Sequence, residues 1–342
     1  MADTGAPAGA EGSAFDVVRD VVFPFDAVEH PTFTVVAGEA GSGRAAVAAL
    51  VAREDAGGAA VVSADDAVMS DAGAAQLLRW RPLEAAVALS EPAAEVLEES
   101  IAYAQESHRS LVLEGTFGAP ETVFAVAEMF ADEGFATRAV IVASRRAQSL
   151  LATASQYLAA RQTRLPARFT SRADHHRGWE STRALAGALA ESNVLDRVTV
   201  VGRDGTVLFD ADRSADPAAF AGAARAVAAV DSAPWTPRAA AEWFSELRRA
   251  TDYARAGREI APPVADLLVE LHRIGLNEIL PAMPFPKGSP VVDEQERRLL
   301  QEIVDLSRSA TTAPAPRRVA QPSAQPSSAP AVEPSRPTGP SL

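Results

Sequence analysis

Compact apolar runs alternate with longer amphipathic stretches between residues 33 and 209. The runs are rich in valine and are followed by glycine or polar turn residues, which predicts buried strands. The predicted strands are residues 33–37, 59–63, 111–113, 138–143, 198–201 and 207–209. The stretches around them predict helices at residues 15–28, 44–53, 91–106, 120–133, 147–162, 171–191 and 213–229. Strands that alternate with helices predict an α/β protein with a parallel sheet covered by helices on both faces.

The rest of the chain divides into a helical part and two tails. Residues 231–309 have helical spacing, broken by prolines at 284–290, and predict a helical appendage. Residues 1–13 are small and acidic, and residues 310–342 are rich in proline, serine, alanine and glutamine. Such segments cannot bury a core, so we expect both tails to be disordered. The α/β domain is therefore predicted to span residues 14–230.

Charge and composition exclude several classes of protein. The 342 residues carry a net charge of -13, whereas proteins that bind nucleic acid present a basic surface. No apolar run approaches the roughly 18 residues of a membrane helix, and the N-terminus lacks the regions of a signal peptide. The absence of cysteine excludes disulfides and thiolate metal sites. We expect a cytoplasmic protein that binds neither nucleic acid nor membrane.

A glycine-rich segment lies between the first predicted strand and the helix that follows it. Residues 38–45 read Gly-Glu-Ala-Gly-Ser-Gly-Arg-Ala, which has the spacing of a phosphate-binding loop (P-loop), G-x-x-x-x-G-K-[ST]. Backbone N–H groups of such a loop bind phosphate oxygens, so binding can survive changes of side chain. The alternative is a glycine-rich turn that binds nothing. The candidate nucleotide-binding residues are Gly38, Gly41, Ser42, Gly43, Arg44 and Ala45.

Two side chains that serve phosphoryl transfer are replaced in this loop. The lysine position holds Arg44, and the serine or threonine position holds Ala45. Arginine keeps the positive charge, but its planar guanidinium is not equivalent to a compact ammonium group. The usual hydroxyl ligates Mg²⁺, which alanine cannot do. The loop therefore predicts binding of a nucleotide phosphate, with ATP as the expected cofactor and Mg²⁺ in doubt.

Acidic and hydroxyl residues follow the next two predicted strands. Asp65 and Asp66 come after the second strand, and Glu114, Gly115 and Thr116 end the third. Because the carboxyl ends of parallel strands meet at one edge of a sheet, we expect these residues near the P-loop. An aspartate there can accept a proton from a substrate hydroxyl or hold Mg²⁺ through water. The alternative for each is a helix cap or a turn.

Arginines and two histidines mark the region after the helix at 147–162. The arginines can clamp a transferring phosphoryl group, or they can cover a solvated surface. The adjacent His175 and His176 point to different faces of a helix and do not predict a metal site. The arginines are Arg161, Arg164, Arg168 and Arg172.

In this order the motifs resemble the zeta toxin family, the P-loop kinases of bacterial toxin–antitoxin systems. The resemblance runs from residue 15 to residue 212. An aliphatic-Glu-Gly-Thr sequence after a strand is fairly specific for the family, and more so at this distance from a P-loop. The resemblance is carried by the P-loop, Asp65-Asp66, and the segments 110–116, 132–135, 167–170 and 198–210.

The resemblance implies a kinase that uses ATP and Mg²⁺ to phosphorylate the 3′-hydroxyl of the N-acetylglucosamine moiety of UDP-N-acetylglucosamine. The family's general base falls on Asp66, and its second phosphate-clamping arginine falls on Arg168. Its substrate contacts fall on Glu98, Glu114 and Thr116. The implied partners are a UDP-sugar or another small acceptor, and an antitoxin protein that blocks the nucleotide site.

Three departures from the family pattern leave the function open. They are Arg44, Ala45 and Gln156, which stands at the first clamping arginine, and all three belong to the ATP side. A local shift would let Arg161 or Arg164 replace Gln156. The first hypothesis is an active or weakly active sugar-nucleotide kinase. The second is a catalytically impaired relative that binds nucleotide or UDP-sugar as a regulatory or interaction module, and the third is a P-loop kinase with a different small acceptor.

Overall fold

The computed structural model describes residues 13–312, except 65–66, 68–71, 214–217, 258–259 and 287. Within the described residues, six strands form one sheet. They are β1 (Thr32–Ala37), β2 (Ala60–Ser63), β3 (Leu111–Gly115), β4 (Ala136–Ala143), β5 (Arg197–Gly202) and β6 (Val207–Asp212). Each overlaps one predicted strand, so the predicted strands are confirmed.

The strand order is β2-β3-β1-β4-β5-β6. Strands β1 to β5 pair in parallel, as predicted, and β6 pairs antiparallel with β5. The reversal follows from the tight turn between these strands, where Gly205 has φ +81°. The N–H of Gly202 donates to the carbonyl oxygen of Thr206 across this turn at 2.8 Å.

Register brings three strand ends to one edge of the sheet. Ala37 of β1 pairs with Gly115 of β3, and Ser63 of β2 pairs with Glu114. The segments that follow β1, β2 and β3 therefore begin side by side. The sheet itself places the candidate site at its carboxyl edge.

The helices cover both faces of the sheet and extend beyond it. Short 3₁₀ segments lie at residues 189–191 and 219–221. The α-helices are α1 (Ala14–Val22), α2 (Arg44–Glu54), α3 (Ala72–Trp80), α4 (Pro82–Ala88), α5 (Ser90–Glu106), α6 (Pro120–Asp132), α7 (Arg146–Gln162), α8 (Arg172–Ala188), α9 (Gly222–Ser232), α10 (Pro237–Ala256), α11 (Pro262–Ile274) and α12 (Pro290–Thr312).

Two helix predictions need correction. The first helix ends at Val22 rather than at residue 28, because Pro24 follows and the residue before a proline disfavours helical backbone. Pro290 does not interrupt a helix but begins α12, since proline suits the first helical turn. Helices α3 and α4 were not predicted from the pattern.

Alternating residues of the strands feed a hydrophobic layer on each face of the sheet. On β1, Phe33 and Val35 belong to one cluster and Val36 to another. Phe33 stacks on Phe130 of α6 with ring centroids 4.2 Å apart, and Val36 shares its cluster with Val47 of α2. This is the period-two pattern of a strand covered on both faces.

The predicted appendage packs against α7. Trp243 of α10 is buried and donates its indole N–H to the carbonyl oxygen of Ala147 at 2.9 Å. Arg146 pairs with Glu270 of α11 at 2.8 Å. Hydrophobic residues of α7, α10, α11 and α12 form one cluster, so the appendage supports the helix that borders the candidate site.

The predicted tails lie almost wholly outside the described residues, and α12 ends at Thr312. In the part of the chain that the structure describes, the helices are too short or too polar to cross a membrane.

Candidate phosphate-binding site

The P-loop connects β1 to α2 in a conformation that requires glycine. Gly41 and Gly43 have φ of +77° and +94°, a region that other residues rarely adopt. A Cβ atom on Gly41 would lie 2.2 Å from the backbone oxygen of Ser149 in α7. Gly43 is the N-cap of α2. The chain thus forms a glycine loop that leads into a helix N-terminus, an arrangement that binds anions.

A cavity of about 410 Å³ opens beside the loop. Its lining comes from the loop and α2, from the ends of β2 and β3, and from α7 with the segment that follows it. The lining residues are Ala40, Gly41, Gly43, Arg44, Ala45, Val61, Ser63, Glu114, Thr153, Gln156, Arg168 and Thr170. The structure therefore brings P-loop residues together with Glu114 and Arg168, which the sequence placed in one site.

The Arg44 side chain reaches from the P-loop to the end of β3. Its Nε donates to Oε1 of Glu114, and the two side chains retain only 16% and 6% of their exposure. Its Nη1 donates to the carbonyl oxygen of Gly38 at 3.0 Å and to Oγ1 of Thr116 at 2.9 Å. Thr116 in turn donates its hydroxyl to the Gly38 carbonyl oxygen at 2.8 Å. Arg44 is thus bound to two residues predicted to contact the acceptor.

Arg168 contributes a second guanidinium to the cavity. Its pKa lies below the usual arginine value, first because desolvation disfavours the charged form and second because the positive charge of Arg44 is near. Asp174 acts in the opposite direction. Two arginines that repel each other therefore border the space beside the P-loop.

Gln156 also lines this cavity, on α7. It is the residue that the resemblance places at the first clamping arginine. Arg161 donates to the carbonyl oxygen of Arg79 at the end of α3. Neither Arg161 nor Arg164 is among the described residues that line the cavity, so the suggested replacement of Gln156 by one of them is not supported.

The described residues around the cavity do not fit Mg²⁺. Ala45 stands where a hydroxyl would ligate the ion, and Glu114, the one carboxylate in the described lining, accepts from Arg44. Mg²⁺ demands near-octahedral coordination by oxygen. Within the described residues, no group of three or more histidine, aspartate or glutamate side chains could hold a metal.

Five predicted site residues are not among the described residues that line the cavity, namely Gly38, Ser42, Asp66, Glu98 and Thr116. Asp66 lies, with Asp65, outside the described residues, and its role as general base stays a prediction. Ser63 at the end of β2 lines the cavity. Glu98 is exposed on α5.

A buried polar cluster behind the loop was not foreseen from the sequence. Glu39 is fully buried and accepts from the hydroxyl of Ser144 at 2.6 Å. Burial raises its pKa, because desolvation outweighs the Ser144 hydrogen bond. Arg183 of α8 lies 3.9 Å from its other oxygen. The available signal was a glutamate inside a P-loop, at a position that the motif leaves unspecified.

The same cluster contains a neutral histidine. His175 of α8 is buried, with Nε2 3.0 Å from the Ser149 hydroxyl of α7. Burial and the nearby charges of Arg146, His176 and Arg183 lower its pKa to about 3. His175 is therefore a packed structural residue that joins α8 to the helix beside the loop.

The sheet order, the glycine loop and the arginine-lined cavity define a P-loop kinase-like α/β protein. The model of the family described as Zeta toxin matches residues 16–214, which is more than half of the chain. The chain belongs to the zeta toxin family, and the resemblance seen in the sequence is confirmed. A search of curated proteins finds no match.

Several solved structures are similar to this chain. One, from the PezAT chromosomal toxin–antitoxin system of Streptococcus pneumoniae, has a TM-score of 0.55 at 15% identity and covers 72% of this chain and 95% of its own. The AvrRxo1-ORF1:-ORF2 complex has a TM-score of 0.43 at 11% identity, covering 83% and 81%. The same complex with ATP also gives 0.43 and 11%, covering 87% and 84%. At 15% identity the likeness to the first structure shows the fold alone.

Proposed function

We propose that this chain binds a nucleotide phosphate at its P-loop and transfers phosphate from ATP slowly, as a regulatory or interaction module of the zeta toxin family. The observation that carries the proposal is the engagement of Arg44. The residue at the catalytic lysine position donates to Glu114, Thr116 and the Gly38 carbonyl oxygen. A cation held in this way is not the mobile point charge that bridges β- and γ-phosphates.

The energetic cost of releasing Arg44 supports slow transfer. Arg44 and Glu114 are mostly buried, and a buried ion pair that loses one partner costs about 3–5 kcal/mol. Each 1.4 kcal/mol or so of barrier slows a reaction about tenfold. If that cost is added to the barrier, transfer slows by roughly a hundred- to several-thousand-fold before the loss of the Ala45 hydroxyl is considered.

A second candidate is the sugar-nucleotide kinase implied by the family, and the position of Arg168 favours it. Arg168 lines the P-loop cavity, where it would clamp a transferring phosphoryl group. Asp66 would then act as general base toward UDP-N-acetylglucosamine, with Glu114 and Thr116 as acceptor contacts and ATP as donor. This candidate requires that ligand binding redirect Arg44.

Phosphate transfer from ATP to UDP-N-acetylglucosamine separates the two candidates. We expect the wild-type protein to bind ADP in a calorimeter and to transfer phosphate so slowly that its rate is less than about tenfold above that of the Asp66→Ala variant. Transfer by the wild type at least about tenfold above Asp66→Ala would favour the kinase. No binding of any nucleotide would contradict both.

We extend the proposal to an antitoxin partner that covers the nucleotide site. Its support is that a solved structure of the same fold comes from a toxin–antitoxin system. A partner captured by the tagged protein from its native host should be released by ADP. Capture that ADP leaves unchanged would place the partner elsewhere.

A further inference from the structure

We propose that Glu39 positions the P-loop for phosphate as an uncharged carboxylic acid, so that nucleotide binding depends on a proton carried behind the loop. The inference rests on the proposed function, because it concerns binding at the same loop. Residue 39 is one of the positions that the P-loop motif leaves unspecified. The carboxyl group is therefore a feature of this chain rather than of the motif.

Glu39 lies between the P-loop and α8. Its side chain is fully buried, and its backbone carbonyl oxygen accepts from the N–H of Ser42 at 3.1 Å within the loop. A Cβ atom on Gly178 of α8 would lie 3.7 Å from the Cβ of Glu39 and 2.9 Å from Cγ2 of Thr116. The helix thus approaches closely, and a movement of the Glu39 side chain would move the loop as well.

The carboxyl group has few hydrogen-bond donors for a buried negative charge. Its Oε1 accepts from the hydroxyl of Ser144 at 2.6 Å. Its Oε2 is buried and lies 3.9 Å from Nη1 of Arg183, too far for a hydrogen bond, and within the described residues it accepts none. A buried carboxylate without donors is unfavourable, and protonation removes the charge.

Two arginines interact electrostatically with Glu39, but each has another partner. Arg183 of α8 pairs with Asp231 of α9 at 2.6 Å. Arg203, which follows β5, donates to the carbonyl oxygen of Gln148 at 3.2 Å. The negative charge of Asp231 offsets much of the positive charge that Arg183 brings towards Glu39.

Desolvation is the largest influence on this carboxyl group. Burial raises the pKa of Glu39, and the opposing effects of Ser144, Arg183 and Ser149 are smaller. The nearby His175, whose pKa is lowered to about 3, is uncharged near neutral pH and does not titrate in the same range. Glu39 therefore gives up its proton at a higher pH than an ordinary glutamate.

An ionised Glu39 and a phosphate bound by the loop would repel each other. Two unit charges about 10 Å apart, at an effective dielectric constant of about 20, change an affinity by about tenfold. Phosphate therefore binds best when Glu39 is protonated. At a pH where the free protein carries the carboxylate, ADP binding is accompanied by uptake of a proton from solvent at Glu39.

The test is the affinity for ADP measured by calorimetry from about pH 6 to about pH 10. We expect the wild-type affinity to fall about tenfold as pH rises through the Glu39 pKa, with proton uptake seen in buffers of different ionisation enthalpy. Glu39→Gln has the same shape but cannot ionise, so its affinity should stay near the low-pH value. The control is Glu180→Gln, at an exposed glutamate of α8, which should follow the wild type.

A second variant retains the carboxyl group and tests the inference even if Glu39→Gln does not fold. The Ser144 hydroxyl favours the charged form of Glu39, so Ser144→Ala should move the fall in affinity to higher pH. A fall at the same or a lower pH would contradict the inference.

The outcomes separate this inference from the proposed function. Equal pH dependence in the wild type and a folded Glu39→Gln variant would overturn the inference and leave nucleotide binding intact. Loss of ADP binding by folded Glu39→Gln at every pH would also overturn it, because an uncharged side chain should be sufficient. Failure of the wild type to bind ADP at any pH would contradict the proposed function itself.

Discussion

Arg44 joins residues that would lie on opposite sides of a transfer reaction. The P-loop is expected to bind the phosphate donor, whereas Glu114 and Thr116 are expected to contact the acceptor. The Arg44 guanidinium binds the Gly38 carbonyl oxygen, the Glu114 carboxylate and the Thr116 hydroxyl. The substitution at the lysine position therefore affects residues beyond the donor side. The same interaction occupies Glu114 and Thr116, which the resemblance assigns to the acceptor side.

Substitution of Glu114 tests this interaction directly. Glu114→Gln removes the negative charge next to the cavity while preserving the size of the side chain. We expect the affinity for ADP to rise about tenfold, since a carboxylate near a bound phosphate is repulsive. The free energy of unfolding should fall by about 3–5 kcal/mol, because Arg44 loses its charged partner. Exposed Glu98→Gln is the control. Weaker ADP binding by Glu114→Gln would contradict the account.

His175 makes the stability of the fold depend on pH. Its folded-state pKa of about 3 lies below the ordinary value of 6.5, so only the unfolded state gains a proton between these values. Stability from this residue is complete above about pH 6.5 and is lost as pH falls toward 3. The change amounts to about 2 kcal/mol between pH 7 and pH 5.

We expect His175→Gln to flatten this dependence. Urea unfolding at pH 7 and pH 5 should show a smaller loss of stability for His175→Gln than for the wild type. His176→Gln is the matched control, since the His176 ring is about half exposed. This variant should lose as much stability between pH 7 and pH 5 as the wild type does. Equal pH dependence in wild type and His175→Gln would show that the buried imidazole titrates normally.

At the scale of elements, the loop depends on the close approach of α7. The Gly41 position combines a positive φ with a gap of 2.2 Å between a built Cβ and the Ser149 backbone oxygen. Gly134, before β4, has a similar φ of +83° and no atom within 4 Å of such a Cβ. Substitution of Gly134 therefore tests the backbone conformation alone, whereas substitution of Gly41 tests the backbone conformation together with a steric clash.

Alanine at these two glycines should therefore have unequal effects. Gly134→Ala should lower the free energy of unfolding by about 1–2 kcal/mol, because alanine disfavours the left-handed backbone conformation. Gly41→Ala should lower the free energy of unfolding clearly more and should abolish ADP binding, because α7 or the loop must move. Chemical denaturation and calorimetry give both quantities. Equal costs with binding preserved would mean that α7 does not constrain the loop.

Most elements of the sheet could be predicted from apolar runs, because a strand buried on both faces is a local feature of sequence. The ends of β1 and β3 could also be assigned to one edge. The pairing of Arg44 with Glu114 could not be predicted from the sequence, because it depends on the strand register that aligns Val36 with Glu114. Glu39 and His175 were missed as a cluster for the same reason, and α3 and α4 lack a strong periodic pattern.

At the scale of the whole molecule, the helical appendage and the P-loop domain share α7. One face of α7 contacts the P-loop through Ser149, and the helix also packs on Trp243 and its neighbours. We infer that the appendage stabilises the site by fixing this helix. The match to the PezAT structure covers 95% of that chain and 72% of this one. It therefore includes more of this chain than residues 16–214, the part that the family model matches.

Truncation of Trp243 tests this coupling. Trp243→Ala should lower the free energy of unfolding by about 3–5 kcal/mol, with loss of the indole hydrogen bond to Ala147. It should also weaken ADP binding. Trp80→Ala, at a side chain that is 72% exposed, should have little effect on either. A destabilised Trp243→Ala protein with unchanged ADP affinity while folded would show that the appendage does not support the site.

We infer that Arg44 and Ala45 limit phosphate transfer at this P-loop. The most direct measurement is the rate of phosphate transfer from ATP to UDP-N-acetylglucosamine by an Arg44→Lys, Ala45→Ser double variant relative to the wild type. The account predicts a ratio of at least about one hundred, abolished by a further Asp66→Ala substitution. A ratio near one would contradict it.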